Sequence, residues 1–260
     1  MRAVKPHDLL AVAVEAARDA GRLLLDYARR PATGVAAKST PTDLVSDADR
    51  AAEKLLLEAI TTKRPEDGIL SEEGAADTST TGLTWVIDPL DGTINFLFGL
   101  PAWAVSIAVK DADGVLVGVV HVPRLDETFT AVRGDGARLN DDAISVSNCD
   151  RLDRALIGTG FAYDARARAQ QAAILTRVLP EVRDIRRAGS AAIDLASLAC
   201  GRLDGFYEAP MEEWDKAAGV LLIAEAGGVV SELEAPLDLS PGVIAAGPAL
   251  HDDLRDLVVQ

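Results

Sequence analysis

The chain is short of cysteine, histidine and positive charge, and each scarcity removes a class of function. Its two cysteines, Cys149 and Cys200, stand far apart and form no C-x-x-C. Neither a disulfide framework nor a zinc knuckle is encoded, and a reducing compartment is expected. Three histidines, His7, His121 and His251, have no second histidine or cysteine at ligand spacing, so histidine-centred chemistry has no basis here. Basic residues number 26 against 41 acidic ones, a net charge of −15, and such a chain repels nucleic acid and anionic membranes. No apolar run approaches the roughly 20 residues of a membrane helix. The opening MRAVKPHDLL has neither the apolar core nor the small-residue cleavage site of a signal peptide. The expectation is a soluble cytoplasmic protein that binds neither nucleic acid nor membrane and that needs cations to hold a phosphorylated ligand.

What remains is 260 residues, 48% apolar and 26% charged, enough for one globular unit or for two lobes sharing an interior. Between Asp8 and Arg29, Leu9, Val12, Ala16, Ala20, Leu23 and Leu24 keep the rhythm of a helix with one buried face. A second helix is signalled by Ser46 with Asp49 three residues on, a capping-box pattern, and runs to about Lys63. Strand patterns follow: GILS, TWVID, then WAVSIAVK and VLVGVVHVP split by the hairpin turn DADG, then ETFTAV and AISVS. Beyond Cys149, strands and helices alternate: ALIGTG, ARAQQAAILTRVL, DIRRAG, AAIDLASLAC, FYEA, EWDKAAGVLLIAEA, GVVSEL, GVIAAG and a last helix, HDDLRDLVV. Without repeats or low-complexity linkers, this reads as layered helices and sheets in a single unit with two lobes, about 1–150 and 151–260.

TWVIDPLDGTINF carries the chemistry. A hydrophobic strand delivers Asp88, and Pro89, lacking an N–H, is expected to stop the ladder. Asp91 follows on the same turn, so two carboxylates can face one point; Gly92 and Thr93 then open a short helix whose first N–H groups point the same way. A bare D-x-x-D is commonly just a solvated turn. Here Glu72 and Glu73 end another strand and Asp215 opens a further helix, although each of these taken singly is ordinary for a turn or a helix N-terminus. Asp111-Ala-Asp113-Gly114 lacks the closing Glu of a calcium loop, Gly158-Thr-Gly160 lacks a P-loop lysine, and Arg186-Arg187 reads as a solvated turn.

Together these segments resemble the inositol monophosphatase family of metal-dependent, lithium-sensitive phosphatases. WVIDPLDGTINF matches the family's first signature and WDKAAGVLLIAEAGGVV its second, with KSTPTDLVSDAD and SEEG in the expected order before them. The resemblance covers essentially the whole chain. It implies a layered α/β/α/β/α sandwich, a Mg²⁺-dependent phosphomonoesterase using two or three ions, and a homodimer. Residue by residue, it implies Glu72, Asp88, Asp91 and Asp215 as metal-binding carboxylates, with the Leu90 carbonyl as a further ligand. Gly92 and Thr93 would hold the phosphate beside Asp91 and Asp215, Glu72 and Thr93 would orient the attacking water, and Asp49 would polarise the Thr93 hydroxyl. Asp49 as a plain helix cap remains an equal alternative. Lys38, Asp43 and Glu73 would stand at the edge of the site.

Two Mg²⁺ ions would offset four clustered carboxylates that otherwise repel or take up protons. One ion would acidify a bound water and the other would stabilise the leaving oxygen, so no protein nucleophile is required. On the substrate side the resemblance implies Gly189, Ser190 and Ala191 against a sugar ring, where close helix packing is the alternative reading. It also implies Glu208 accepting from ring hydroxyls. Glu212 and Glu213 depart from the family pattern, and two acids beside the leaving-group pocket would disfavour a second phosphate. The expected substrate is inositol 1-phosphate or a similar polyol or sugar phosphate. Histidinol phosphate is the alternative, and a non-catalytic partner of the transcription machinery is a reading of another class.

Overall fold

The computed structural model describes residues 5–38, 40–41, 43–72, 74, 76–77, 79–235, 237 and 239–260. Helix α1 (Pro6–Tyr27) starts with proline in its first turn, where the missing N–H costs nothing. Its buried stripe is Leu9, Ala13, Ala16, Ala17, Ala20, Gly21 and Leu24. Val12 and Leu23, expected on that face, sit at its margins. The centre is alanine and glycine because α1 lies close against a sheet. After the short pair β1 (Ala36–Ala37) and β2 (Leu44–Val45), α2 (Asp47–Lys63) begins at the expected capping box on Ser46.

An eight-stranded sheet follows, built from β3 (Gly68–Ser71), β4 (Ala76–Asp77), β5 (Thr84–Asp91), β6 (Ala104–Asp111), β7 (Gly114–Val122), β8 (Glu127–Val132), β9 (Ala137–Leu139) and β10 (Asp142–Ala143). Its order is β10-β9-β8-β7-β6-β5-β3-β4, antiparallel except for the β3–β5 pair. Helix α3 (Thr93–Leu97) branches from the end of β5. The remaining elements are β11 (Leu156–Thr159), α4 (Ala165–Val178), β12 (Asp184–Arg186), α5 (Ala191–Ala199), β13 (Gly205–Glu208), α6 (Glu213–Glu225), β14 (Val229–Leu233), β15 (Gly242–Ala246) and α7 (His251–Val259). They give a five-stranded sheet, β12-β11-β13-β15-β14, whose first three strands are parallel.

The buried side chains separate the layers. Helices α1 and α2 cover one face of the large sheet through Leu9, Leu24, Leu56 and Ile60 packed on Trp85, Ile87 and Ile107. Helices α5 and α6 fill the space between the sheets, and α6 is buried on nearly every side at Ala217, Ala218, Leu221, Leu222 and Ile223. Helices α4 and α7 close the outer face of the small sheet. The result is the expected α/β/α/β/α sandwich.

Two expectations fail locally. Of AISVS only Ala143 is in a strand, paired with Arg138 in β9, because this edge has no further strand for the segment to join. Pro89 does not end β5. The strand continues to Asp91 while its register against β6 shifts between Asp88 and Asp91, so the proline sits in a bulge where a missing donor leaves no gap in the ladder.

Candidate active site

The bulge shapes the site. It leaves Asp88 buried at 2% exposure and brings Asp91 to the cavity wall. The chain then reverses at Gly92, where φ is +96° and a Cβ would lie 2.9 Å from the Ala102 carbonyl, so both the backbone angle and the space require glycine. Thr93 follows as the first residue of α3. Its hydroxyl donates to Asp49 Oδ1 at 2.7 Å, with the Leu90 carbonyl 3.2 Å away. Asp49 Oδ2 accepts from the Ser46 amide at 2.9 Å and the Ser46 hydroxyl at 2.6 Å. One carboxylate therefore makes both contacts: one oxygen caps α2 and the other accepts from Thr93.

Four acidic side chains of the site, Asp88, Asp91, Asp215 and Glu72, each have an oxygen fixed by a protein donor. Asp88 Oδ1 accepts from the Leu90 amide at 2.9 Å. Asp91 Oδ2 accepts from Ser190 Oγ at 2.6 Å and from the Ala192 amide at 2.7 Å. Asp215 Oδ2 accepts from the Glu212 amide at 2.7 Å, and Glu72 Oε1 pairs with Lys38 Nζ at 2.9 Å. These bonds set the rotamers of the four carboxylates.

The electrostatics of the bare protein are unfavourable. Burial pushes the Asp88 carboxyl well above the carboxylate range, and the charges of Glu72, Asp91 and Asp215 push it further. Burial raises Asp91 too, although bonds from Ser190, Ala192 and Ala191 act against it. Asp215 is pushed up to about 8, by burial first and Asp91 second. Glu208 is raised well above its usual value by burial, then by Asp215, Asp194 and Asp91. Among the described residues no three His, Cys, Asp or Glu side chains are preset around one ion-sized point. Acids that crowd together, take up protons and hold hard oxygen donors are nevertheless the donor set that Mg²⁺ prefers, and a divalent cation would remove the strain. The residues fit the ion by their chemistry.

The cavity above this floor has a volume of about 410 Å³. Lys38, Asp43, Glu72, Asp91, Gly92, Gly189, Ser190, Ala191, Glu208 and Asp215, all singled out from the sequence, line it. Asp49, Asp88, Leu90 and Thr93 lie beneath, with little or no exposed surface. Glu73 falls outside the described residues. Glu212 reaches the cavity, but Glu213 does not: it pairs with Lys110 Nζ at 2.9 Å on the far side of α6, so the expected pair of acids at the leaving-group pocket is a single one.

Arg187, Tyr163 and Asp194 are among the lining residues that the sequence did not point to as part of the site. Arg187, read as part of a solvated turn, stands at the cavity mouth and draws down the pKa values of Asp91, Asp194 and Glu208. Tyr163 lines the cavity as well. Asp194, 4% exposed and pushed up to about 7 mainly by burial, interrupts an apolar helix. That lone acid in AAIDLAS was a usable signal, because the helical period puts an apolar residue there.

The model of the family described as "Inositol monophosphatase family" matches residues 5–260. The chain belongs to that family. It is 45% identical over 232 residues to an inositol-1-monophosphatase of Mycobacterium leprae, covering 85% of this chain and 79% of that one. To the Nus factor SuhB of Escherichia coli K12 it is 41% identical over 258 residues, 96% of this chain and 97% of that one. Among solved structures, the extragenic suppressor protein suhB of Bartonella henselae superposes with a TM-score of 0.90 at 38% identity, covering 96% of this chain and 98% of that one. This inositol monophosphatase family member is a phosphoric monoester hydrolase. Among the described residues no helix is long and apolar enough to cross a membrane.

Proposed function

We propose that this enzyme is a Mg²⁺-dependent phosphomonoesterase acting on inositol 1-phosphate or a closely similar polyol or sugar phosphate, with water as the nucleophile. The observation that carries the reading is the meeting of Glu72, Asp88, Asp91 and Asp215 at the turn that opens α3, beneath a cavity that also holds Glu208. Those four carboxylates and the Leu90 carbonyl would hold two or three Mg²⁺ ions. When bound, the ions supply positive charge for the phosphate and for the developing negative charge on its oxygens.

The chain's own residues do the positioning. Thr93 spends its hydroxyl proton on Asp49, so its oxygen is left to accept from water and aim that water's lone pair at phosphorus. Glu72, held in place by Lys38, orients the same water. The amides at Gly92 and Thr93 precede the first intrahelical bond, Phe96 N to Gly92 O at 3.0 Å, and face the phosphate. Gly189, Ser190 and Ala191 form the wall on which the ring lies, and Glu208 accepts from its hydroxyls. Asp43 and Lys38 close the edge. Asp88→Asn should abolish turnover with the melting behaviour retained; an active Asp88→Asn enzyme would sink the mechanism. A phosphate-ester panel with Mg²⁺ tests the substrate, and histidinol phosphate as the best substrate would install the alternative.

The name of the Escherichia coli relative favours one further reading, a role with the transcription machinery. It predicts recovery of RNA polymerase subunits in a pull-down and retained cellular function in the Asp88→Asn variant. A cytoplasmic homodimer completes the proposal, and Phe98 and Leu100, both exposed after α3, suit a covered surface.

A further inference from the structure

A buried amide outside the acidic cluster joins two parts of the site. Asn95, in α3, is 5% exposed. Its side-chain nitrogen donates to the Ala102 carbonyl at 2.6 Å and to the Ala188 carbonyl at 2.8 Å. Both partners are main-chain oxygens, which only accept, so the nitrogen must face them, and its two protons match two acceptors. Asn95 thereby ties α3 to the approach to β6 and, 93 positions along the chain, to the approach to α5.

The approach to α5 forms part of the cavity wall. Ala188 is held through both its main-chain polar groups, the carbonyl by Asn95 and the amide by Asp194 Oδ2 at 3.3 Å. At the next residue, Gly189, a Cβ would stand 2.8 Å from Asn95 Nδ2, so the backbone of the turn rests against the Asn95 amide. Ser190 and Ala192 then fasten the far side of the turn to Asp91 Oδ2, at 2.6 and 2.7 Å. The wall made by Gly189, Ser190 and Ala191 is thus anchored on one side by the acidic floor and on the other by Asn95. The phosphate turn has supports of its own, the Thr93 hydroxyl on Asp49 and the Leu90 amide on Asp88. Loss of the Asn95 donors therefore releases the wall and leaves that turn in place.

We propose that Asn95 is a positioning residue for substrate selection: by holding the Ala188 carbonyl it fixes the wall relative to the phosphate turn, and so favours esters whose ring spans the two. The inference rests on the reading above, in which the ring lies on Gly189, Ser190 and Ala191. Asn95 touches neither the phosphate nor the ring in this scheme. Its effect belongs to substrate binding, because a wall that wanders leaves the ring without a fixed surface while the phosphate end is held as before.

The test uses two variants of the full chain. Asn95→Asp keeps the shape and puts an acceptor where two donors were; Asn95→Ser keeps one donor but shortens its reach, and takes over if the first variant does not fold. Either should raise KM for inositol 1-phosphate about tenfold with kcat within about threefold of the parent, and should change kcat/KM for ethyl phosphate, which offers the wall little surface, less than about twofold. The rise of Tm with Mg²⁺ should match the parent's. Hydrogen exchange gives a readout that needs no substrate: amides of residues 188–192 should exchange faster in either variant, and those of residues 88–93 at the parent's rate. Unchanged exchange at 188–192 overturns the proposal whatever the substrate is. So does an equal loss on both esters, which would make Asn95 a support of the phosphate turn, or parent-like kinetics beside faster exchange. If the parent ignores inositol 1-phosphate, the substrate reading fails instead, and the same comparison with the best ester of the panel still decides the role of Asn95.

Discussion

Asp49 and Thr93, 44 positions apart, are joined by a 2.7 Å hydrogen bond from hydroxyl to carboxylate, and the same carboxylate caps α2 through Ser46. The start of a helix and the turn after β5 are thereby one rigid unit. Asp49→Asn has only one accepting oxygen for two tasks, so it should lower kcat on the order of 100-fold by freeing Thr93 and cost about 1 kcal/mol of stability. Ser46→Ala should cost a similar amount of stability while kcat barely moves. Steady-state kinetics beside thermal melts separate the tasks, and equal loss of kcat in both variants would mean that Asp49 acts only as a cap.

Mg²⁺ should stabilise the fold, since the ions bind only the assembled carboxylates. At a hundredfold excess over Kd one site contributes about 2.7 kcal/mol, and for a chain of this size that raises Tm by roughly 5–10 °C. A melt across millimolar Mg²⁺ with EDTA as control measures it. An unchanged Tm would mean that Asp88, Asp91 and Asp215 do not form an ion site.

The layers and the acidic turn were legible in the sequence because both rest on local patterns. The 3.6-residue period of α1, the capping box at Ser46 and the D-x-x-D after a hydrophobic strand need no knowledge of distant neighbours. What was not legible depends on such neighbours. Whether Pro89 breaks a strand depends on the register of β6, and whether Glu213 faces substrate depends on Lys110, which β6 supplies. Arg187 looked like surface because its partners, Asp91 and Glu208, come from other segments. The sequence could not show that Asp49 uses one oxygen for Ser46 and the other for Thr93, because Thr93 is 44 positions away.

Asp67 ties the start of β3 to β5. It accepts from Arg64 Nε at 2.7 Å and Nη2 at 2.9 Å, from Thr81 Oγ1 at 2.6 Å and from Trp85 Nε1 at 2.9 Å. Burial raises its pKa, but the bonds from Arg64, Thr81 and Trp85 outweigh it, and the folded carboxyl titrates below its ordinary value. The stabilisation is therefore complete above the unfolded pKa, about 3.9, and disappears as pH falls through the lower folded value. Asp67→Asn should cost about 3 kcal/mol at neutral pH, with the gap in Tm from the parent closing in acid. Parallel Tm curves from neutral pH into acid would show that the carboxylate's charge is not what these donors need.

Glu208 and Gly160 face each other so closely that a Cβ on Gly160 would overlap the Glu208 carboxylate. Access of that acid to the substrate cavity thus depends on a neighbour without a side chain. If Glu208 accepts from ring hydroxyls, Glu208→Leu leaves those hydroxyls unpaired and should lower kcat/KM for inositol 1-phosphate by roughly 10- to 100-fold. Hydrolysis of 4-nitrophenyl phosphate, which lacks such hydroxyls, should fall far less. Gly160→Ala should move in the same direction by displacing the carboxylate, raising KM for inositol 1-phosphate with a smaller change in kcat. Both variants should keep the Mg²⁺ dependence of the parent, since neither residue belongs to the carboxylate group around Asp88. Equal losses on both substrates would make Glu208 a support for the floor acids instead, coupled to them through the charges of Asp215 and Asp91.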